Sequence, residues 1–424
     1  MDGVCRSNKK VLGLKRRHAV VLACSGAMFI AYIDRVSISV AALAMQAEFG
    51  WSEAVKGYVL STFFVGYIVT QLVGGWLAHR FGGREVMLVA LVAWSVFTVL
   101  TPIAAYVSFA WLIVFRILLG VGEGPLHPAA YLIIGNWVRE SERTTAIAFY
   151  GSFGFAGTFA ALATTGLIVD AFGWPAVFYI FGVAGLAYTW LIRHLVQNRP
   201  IYSKSAETSE PQKISRPGSA ESIPWRKLLT IGPFWILAFT FFCTSWIYYV
   251  LLLWMPSYYA AEFGVSTASA GIFSLAPFVI MFITMNFAGW GADRLLEAGV
   301  SLTTIRKSFA GVGLGGAGVL LVSIGLVKSE FVALLFFCCV LGSLGIAYSS
   351  HSPNVFDLAP RFAHLLLGVL LTFGSLPGLI GVTVTGVIVN ATNSYDQALT
   401  IAGHLALAGA LVYVLGGTGR KVVD

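Results

Sequence analysis

Charge is scarce in this sequence. Asp, Glu, Lys and Arg make up 11% of the 424 residues, whereas hydrophobic residues make up 58%. A soluble domain of this length cannot hide so much apolar surface, so a soluble enzyme or binding domain is excluded. Apolar runs long enough to cross a bilayer as helices recur along the whole chain, and we count twelve of them. The composition therefore predicts a multi-pass protein of the lipid bilayer.

Cysteine is also scarce. The five cysteines are scattered along the chain, so neither a disulfide framework nor a metal site is indicated. The sequence offers no nucleophile–base arrangement, no cluster of metal ligands and no nucleotide-binding loop. We therefore expect no metal and no cofactor, and we do not expect an enzyme.

Basic residues are distributed unevenly between the two sides of the predicted spans. Lys56 and Lys328 fall on one side, Arg35 and Arg116 fall inside spans, and we place the rest of the 27 Lys and Arg on the side of the N-terminal tail. Because cytoplasmic loops are rich in Lys and Arg, both termini are predicted to be cytoplasmic. The net charge of +8 thus indicates membrane topology rather than nucleic-acid binding.

The chain contains an internal repeat. Residues 261–266 repeat residues 47–52 at an offset of 214, and Gly271 matches Gly57 at the same offset. Such a repeat predicts an all-α integral membrane fold of twelve transmembrane helices, in which two similar six-helix halves run in parallel. The predicted parts are a cytoplasmic basic tail (1–18), an N-terminal bundle (19–195), a polar cytoplasmic linker (196–230), a C-terminal bundle (231–416) and a cytoplasmic tail (417–424).

Four charged residues lie deep in two spans of the first half: Asp34 and Arg35 in the first span, and Arg116 and Glu123 in the fourth. A charge at bilayer depth costs about 2.5–3.5 kcal/mol or more, so such residues usually mark an ion or substrate path. Arg116 and Glu123 lie nearly on one helix face, about 10 Å apart along the axis. The alternative is a buried ion pair that only holds helices together.

The spans of the second half carry no charge at membrane depth. They offer neutral donors and acceptors with aromatic rings, which suit hydroxyl groups better than charge. Each of these residues has a packing or membrane-interface role as its alternative. The candidates for substrate contact are Tyr248, Tyr249, Ser350, Thr372 and Ser375.

Residues 75–84 combine glycines and arginines in a pattern that predicts a tight turn with cations at a helix end. Residues 289–294 repeat part of this pattern at the offset of 214. We expect the two copies to form a gating element. Its candidate residues are Gly75, Arg80, Arg84, Asp293 and Arg294.

These motifs resemble the major facilitator superfamily over essentially the whole chain, and within it the anion:cation symporters. The resemblance is carried by Asp34-Arg35 and by residues 116–128, 172–179, 357–361 and 372–378. It implies proton-coupled uptake of an organic anion, such as a sugar acid. One departure is His79, which stands where the superfamily's loop signature has an Asp.

The resemblance also implies roles for single residues. Asp34 and Glu123 look like the proton-carrying acids, and Arg35 and Arg116 like partners of the substrate anion and of ion pairs. Tyr32 and Tyr67 look like residues of the binding pocket. His127 departs from the family pattern: it is either a proton relay to Glu123 or a packing residue, and packing is the favoured interpretation.

The predicted function is secondary active transport: proton-coupled symport of a small organic anion by alternating access. A sodium-coupled phosphate carrier or a glutamate-type carrier is the alternative within transport. A membrane receptor has the least support, because such proteins normally carry a sizeable soluble signalling domain. The expected setting is a bacterial inner membrane, and the expected state is a monomer.

Overall fold

The computed structural model describes residues 10–11, 14–138, 140–196, 230–359 and 363–422. In this part of the chain, twelve helical spans are long and apolar enough to cross a membrane. The first half comprises α1 (Arg16–Phe49), α2 (Glu53–Ser61), α3 (Phe63–Phe81), α4 (Gly83–Val107), α5 (Phe109–Glu123), α6 (Leu126–Trp137), α7 (Glu140–Phe172) and α8 (Trp174–Leu195). The second half comprises α9 (Gly232–Phe263), α10 (Thr267–Glu297), α11 (Leu302–Val322), α12 (Glu330–Leu358), α13 (Ala363–Thr392) and α14 (Tyr395–Gly416).

Two of the spans in the first half are interrupted. Helices α2 and α3 make one span with a break at Thr62, and α5 and α6 make another with a break at Gly124 and Pro125. Outside the spans, a short antiparallel pair of strands, β1 (Lys10–Val11) and β2 (Leu14–Lys15), precedes α1, and a 3₁₀ turn covers Ile324–Leu326. The predicted linker (196–230) falls almost wholly outside the described residues.

The helix ends follow from the local sequence. The side chain of Ser52 accepts a hydrogen bond from the backbone N–H of Val55, and Ser266 does the same for Ser269. This capping satisfies an N–H that the first turn of a helix leaves free. Gly50 and Gly264 precede these caps and both have a φ of 64°, a left-handed conformation that glycine adopts without strain. Gly264 and Ser266 correspond to Gly50 and Ser52 at the repeat offset of 214, so the repeated sequence forms the same turn in both halves.

The spans alternate in direction, and an even number of them brings both ends of the described chain to one face. We call this the N-terminal face, because α1 begins there, and the other the opposite face. At the N-terminal face the N–H of Val422 donates to the carbonyl of Leu358. At the opposite face the indole N–H of Trp174 donates to Glu48, 2.6 Å away.

The two halves pack closely toward the opposite face. Gly57 of α2 lies against Gly386 and Trp254, so that an added Cβ would be 3.2 Å from Gly386 Cα. Gly271 of α10, its match in the repeat, lies against the carbonyl of Leu162 in α7. Since a glycine has no side chain to hold the helices apart, each half contributes one close crossing. In this conformer the two halves are thus in close contact on the side of the cavity that lies toward the opposite face.

Candidate functional site

A cavity of about 220 Å³ lies between the two halves. The first half contributes side chains from α1, α3, α6 and α7, and the second half from α9, α10, α12 and α13. Tyrosines supply much of the wall, and Arg35 is the one Asp, Glu, Lys or Arg among the described lining residues. The lining includes Tyr32, Arg35, Tyr67, Gln71, His127, Tyr131, Phe155, Phe241, Ser245, Tyr248, Tyr249, Met281, Met285, Tyr348 and Ser375.

Arg35 forms an ion pair with Glu123, which lies behind the cavity wall. The side chain of Arg35 is 3% exposed and that of Glu123 is 0% exposed. The Arg35 guanidinium also lies over the rings of Tyr67 at 4.5 Å, Tyr32 at 4.8 Å and Phe63 at 5.1 Å. A cation is attracted to an aromatic face, most strongly where water is excluded. Three rings and one carboxylate therefore hold Arg35 at the edge of the cavity.

Small residues and helix breaks put Glu123 in this place. Gly66 of α3 lies against the backbone of Ile117, and Gly120 lies against the backbone of Phe63, so α3 and α5 approach closely. Glu123 is the last residue of α5, directly before the break at Gly124 and Pro125. Proline has no N–H, so the helix cannot continue its regular hydrogen bonds there. The sequence thus ends a helix at the carboxylate that pairs with Arg35.

Arg116 and Asp34 are buried but have a different environment. The Nε of Arg116 donates to the carbonyl of Val59, 3.3 Å away, while Nη1 has no hydrogen-bond partner in the described part of the chain. Asp34 Oδ2 accepts from the hydroxyl of Thr98 at 3.5 Å, and Oδ1 has no partner there. Asp34 is 3% exposed and Arg116 1% exposed. Neither lines the cavity, so both lie behind the wall that Arg35 completes.

The structure corrects the alternative in which Arg116 and Glu123 form a structural ion pair. Glu123 pairs with Arg35 of another span, and no described ion pair within 4.0 Å joins it to Arg116. The reason is geometric, because two helical turns separate Arg116 from Glu123 by about 10 Å along the axis. A shared helix face was not sufficient for contact.

The second half contributes hydroxyl groups in pairs. The hydroxyls of Ser245 and Tyr348 are 3.3 Å apart, and Tyr248 and Tyr249 complete this part of the wall. Ser375 lies 3.3 Å from the Gln71 amide oxygen of the first half. Three of the five residues predicted for this half, Tyr248, Tyr249 and Ser375, thus line the cavity.

The other two residues predicted for this half lie away from the cavity lining, so their expected substrate contact needs correction. The hydroxyl of Ser350 donates to the carbonyl of Arg306 at 3.4 Å. The hydroxyl of Thr372 donates to the carbonyl of Gly368 within its own helix at 3.0 Å. Each of these two hydroxyl protons is thus donated to a backbone carbonyl, and neither residue is among the described residues of the cavity lining. Composition alone could not distinguish these hydroxyls from that of Ser375.

His127 lines the cavity one turn beyond Glu123. Its Nδ1 lies 3.1 Å from the hydroxyl of Tyr150, and its ring packs edge-on against that tyrosine with centroids 5.8 Å apart. The ring of Tyr131 lies 6.1 Å away. The contacts join α6 to α7, as the packing interpretation expects, and the cavity position leaves the relay interpretation open.

The predicted gating residues make contacts within their own halves. The Nε of Arg84 donates to the carbonyl of Val196 at 2.6 Å, which satisfies the end of α8. Arg294 lies 3.7 Å from Glu297 and is largely exposed. The Arg80 guanidinium lies over the ring of Phe81, Gly75 has open space where a Cβ would be, and Asp293 is exposed. In this conformer these residues belong to the N-terminal face, away from the close crossings.

Several lining residues were not predicted as site residues. Gln71 follows Tyr67 by four positions, and Tyr131 follows His127 by four, so each shares a helix face with a residue that was predicted. Ser245 has the same signal, because it precedes Tyr249 by four positions. Tyr348 has no predicted residue at such a spacing, so the sequence offered no signal for it.

Comparisons with known proteins identify the family of this chain. The chain matches the Major Facilitator Superfamily over residues 24–382. It is 37% identical over 415 residues to probable anion transporter 4, chloroplastic, of Oryza sativa subsp. japonica. The aligned region covers 96% of this chain and 70% of that protein. Two Arabidopsis thaliana proteins are each 35% identical to this chain. The alignment with sodium-dependent phosphate transport protein 1, chloroplastic, covers 96% of this chain and 80% of that protein. The alignment with the ascorbate transporter, chloroplastic, covers 96% of this chain and 76% of that protein.

Among solved structures, a D-xylose–proton symporter superposes with a TM-score of 0.77 at 15% identity, covering 95% of this chain and 99% of that chain. At this identity the likeness concerns the fold alone. A multi-pass helical membrane protein with a cavity between two repeats is the architecture of a transporter. The chain belongs to the Major Facilitator Superfamily, among its anion transporters.

Proposed function

We propose that this protein is a proton-coupled symporter of a small organic anion that carries hydroxyl groups. One observation carries the proposal: Arg35 is the single Lys or Arg among the described residues that line the cavity, and its partner Glu123 lies behind it. An arginine suits a carboxylate because it offers two parallel N–H donors. The carboxylate that holds it can in turn be neutralised by a proton.

The mechanism exchanges one partner of Arg35 for another. While Glu123 is ionised, it occupies the guanidinium. When a proton reaches Glu123, Arg35 loses its buried counter-ion and offers its donors to a carboxylate in the cavity. When the proton leaves, Glu123 competes for Arg35 and the anion is released. Asp34, with one oxygen unpartnered, is a second acid through which a proton can move.

Charge balance makes the two movements depend on each other. An unpaired charge in a closed, dry cavity is costly, so a buried charge is stable only with its partner. In the empty protein, ionised Glu123 neutralises Arg35. When a proton and an anion are both bound, the proton neutralises Glu123 and the anion neutralises Arg35 instead. Either alone leaves an unpaired charge, which opposes closure of the cavity. Coupled transport of one proton with a monoanion follows.

The orientation and setting of the protein are part of the proposal. The Lys- and Arg-rich N-terminal face is proposed to remain on the cytoplasmic side, as the distribution of positive charge predicts. The relatives' names place them in chloroplasts, so they give no support to the expected bacterial inner membrane. Since one chain forms the whole cavity between its own halves, a monomer is proposed as the working unit.

Phosphate is the main competing substrate, because one relative is named a sodium-dependent phosphate transport protein. Another relative is named an ascorbate transporter, and ascorbate is an organic anion with hydroxyl groups. The cavity supports the organic anion, because one arginine faces six tyrosines and two methionines among its described lining residues. A phosphate dianion would be left with one charge unpaired.

The test is uptake by the purified protein in proteoliposomes under an imposed inward proton gradient. The panel comprises gluconate, glucuronate, ascorbate, glutamate, sialic acid and phosphate, each with and without sodium. Accumulation of a hydroxylated carboxylate, abolished by a protonophore and indifferent to sodium, is the expected result. Sodium-dependent accumulation of phosphate would overturn both the substrate and the coupling ion. Uptake that a protonophore leaves unchanged would overturn the coupling alone.

A further inference from the structure

Gln71 makes a contact between the halves inside the cavity. Its amide oxygen lies 3.3 Å from the hydroxyl of Ser375 on α13, and both residues line the cavity. The other described side-chain hydrogen bonds between the halves, Ser61 with Thr383 and Tyr395 with Glu53, have no partner in that lining. Among the side-chain hydrogen bonds between the halves in the described part of the chain, Gln71–Ser375 is thus the one that a ligand in the cavity can reach.

This contact leaves most of the hydrogen-bonding capacity of Gln71 free. A glutamine amide has two N–H donors and an oxygen with two acceptor sites. Ser375 has a single hydroxyl proton, and the carbonyl of Leu371 at 2.9 Å is the closer acceptor for it. Whichever way the Gln71 amide is turned, Ser375 satisfies at most one of its groups. A polar side chain with spare donors and acceptors then faces the cavity.

Gln71 also has a fixed relation to Arg35. It lies four residues after Tyr67 on α3, which is about 6 Å along the helix axis. The ring of Tyr67 lies 4.5 Å from the Arg35 guanidinium. Arg35 and Gln71 line the same cavity, so an anion that is bound to Arg35 and extends along α3 would bring the hydroxyls of its next carbons to the amide one turn away. A neutral amide can donate to and accept from a hydroxyl, whereas it has nothing to offer a methylene group.

We propose that Gln71 is a specificity residue that recognises a hydroxyl close to the carboxylate of the transported anion. The proposal rests on the proposed function, because Arg35 must hold the carboxylate. The ligand hydroxyl takes over part of the Gln71–Ser375 contact and so bridges α3 and α13. Hydroxylated acids are thereby favoured over unsubstituted carboxylates of the same length.

The experiment compares the binding of two six-carbon acids, gluconate and hexanoate, by isothermal titration calorimetry with the full purified chain. The wild-type protein should prefer gluconate. Gln71→Leu should weaken gluconate binding roughly three- to tenfold, the effect of one neutral hydrogen bond. It should leave hexanoate binding within about twofold, which also shows that the variant is folded. Asn286→Leu removes an amide from a span without touching the cavity lining, so it should change neither value.

Each outcome has a defined meaning. An equal loss for gluconate and hexanoate in Gln71→Leu would overturn the specificity role and indicate a structural one. No change for either acid would overturn it as well. A wild-type protein that does not prefer gluconate to hexanoate would instead contradict the preference for hydroxylated anions in the proposed function, and the inference with it. A wild-type preference for gluconate that persists undiminished in Gln71→Leu refutes the inference alone.

Discussion

The two halves of the molecule share a fold but differ in chemistry at matched positions. Asp34 and Arg35 of α1 correspond, at the offset of 214 that relates the repeats, to Tyr248 and Tyr249 of α9. Arg35 and Tyr249 both line the cavity. One half thus presents a charged group and the other a phenol from equivalent places in the fold. Under the proposed function, the difference indicates a division of tasks, in which the proton-coupling groups lie in the first half alone, whereas residues of both halves contact the substrate.

The closure toward the opposite face is more symmetric than the site. Gly57 and Gly271 are matched by the repeat, and each lies at a close crossing with the other half. Charge again distinguishes the halves. Lys56 of α2 is 1% exposed and bonds to Glu53 at 2.8 Å and to Gln46 at 2.7 Å. Its Nζ also lies 5.0 Å from the ring of Trp254 in the other half.

The largest expected effect is that of Arg35→Gln. The change removes the anion-binding group and leaves Glu123 buried without its partner, which costs about 3–5 kcal/mol for a buried pair. We expect loss of both uptake and equilibrium binding of the transported anion, together with a lower melting temperature. Arg193→Gln, at an exposed site outside the cavity, is the matched control and should keep both activities. Normal anion binding by Arg35→Gln would show that Arg35 is not the anion-binding group.

A smaller effect is expected from Lys56→Met. The change keeps the length of the side chain but removes its bonds to Glu53 and Gln46 and its contact with Trp254. A loss of about 1–2 kcal/mol from the closed opposite face would raise the population of the conformer open there roughly 5- to 30-fold. Spin labels at Tyr58 and Val387, both exposed near this crossing, would report it as a longer distance component.

The control for this variant is Lys328→Met, which changes the other lysine predicted for the same side of the membrane. It should leave the distribution of label distances as in the wild type. If Lys56→Met also leaves that distribution unchanged, Lys56 does not stabilise the closed opposite face. The glycine crossings and the hydrogen bonds of Ser61 with Thr383 and of Tyr395 with Glu53 then account for closure without it.

The smallest effect is expected from Tyr348→Phe in the second half. The change removes one hydroxyl, which is 3.3 Å from that of Ser245, and keeps the ring. Loss of one neutral hydrogen bond corresponds to a rise in KM of roughly two- to tenfold. The number of protons moved per anion should not change. A changed proton-to-anion ratio, measured from the reversal potential in proteoliposomes, would contradict the division of tasks between the halves.

Much of the fold followed from the sequence, because it depends on strong local signals. Twelve apolar runs, a repeat offset and glycines before serine caps specify helices, repeats and turns with little tertiary information. The importance of Arg35 and Glu123 also followed from the sequence, because a charged side chain at membrane depth is costly and usually marks a functional site. The partner of Glu123 did not follow from its helix face, because the approach of α1 to α5 is a tertiary contact. Ser350 and Thr372 were misplaced because a hydroxyl can donate to a backbone carbonyl, of a neighbouring helix for Ser350 and of its own helix for Thr372, as readily as to a ligand.

The central claim is that Glu123 carries the proton that frees Arg35, and Glu123→Gln tests it most directly. The variant resembles the protonated acid in shape and charge. In proteoliposomes it should retain exchange of labelled for unlabelled anion at equal pH, and it should lose accumulation driven by an imposed proton gradient. Full proton-driven accumulation by Glu123→Gln would contradict the claim and assign the coupling to another group.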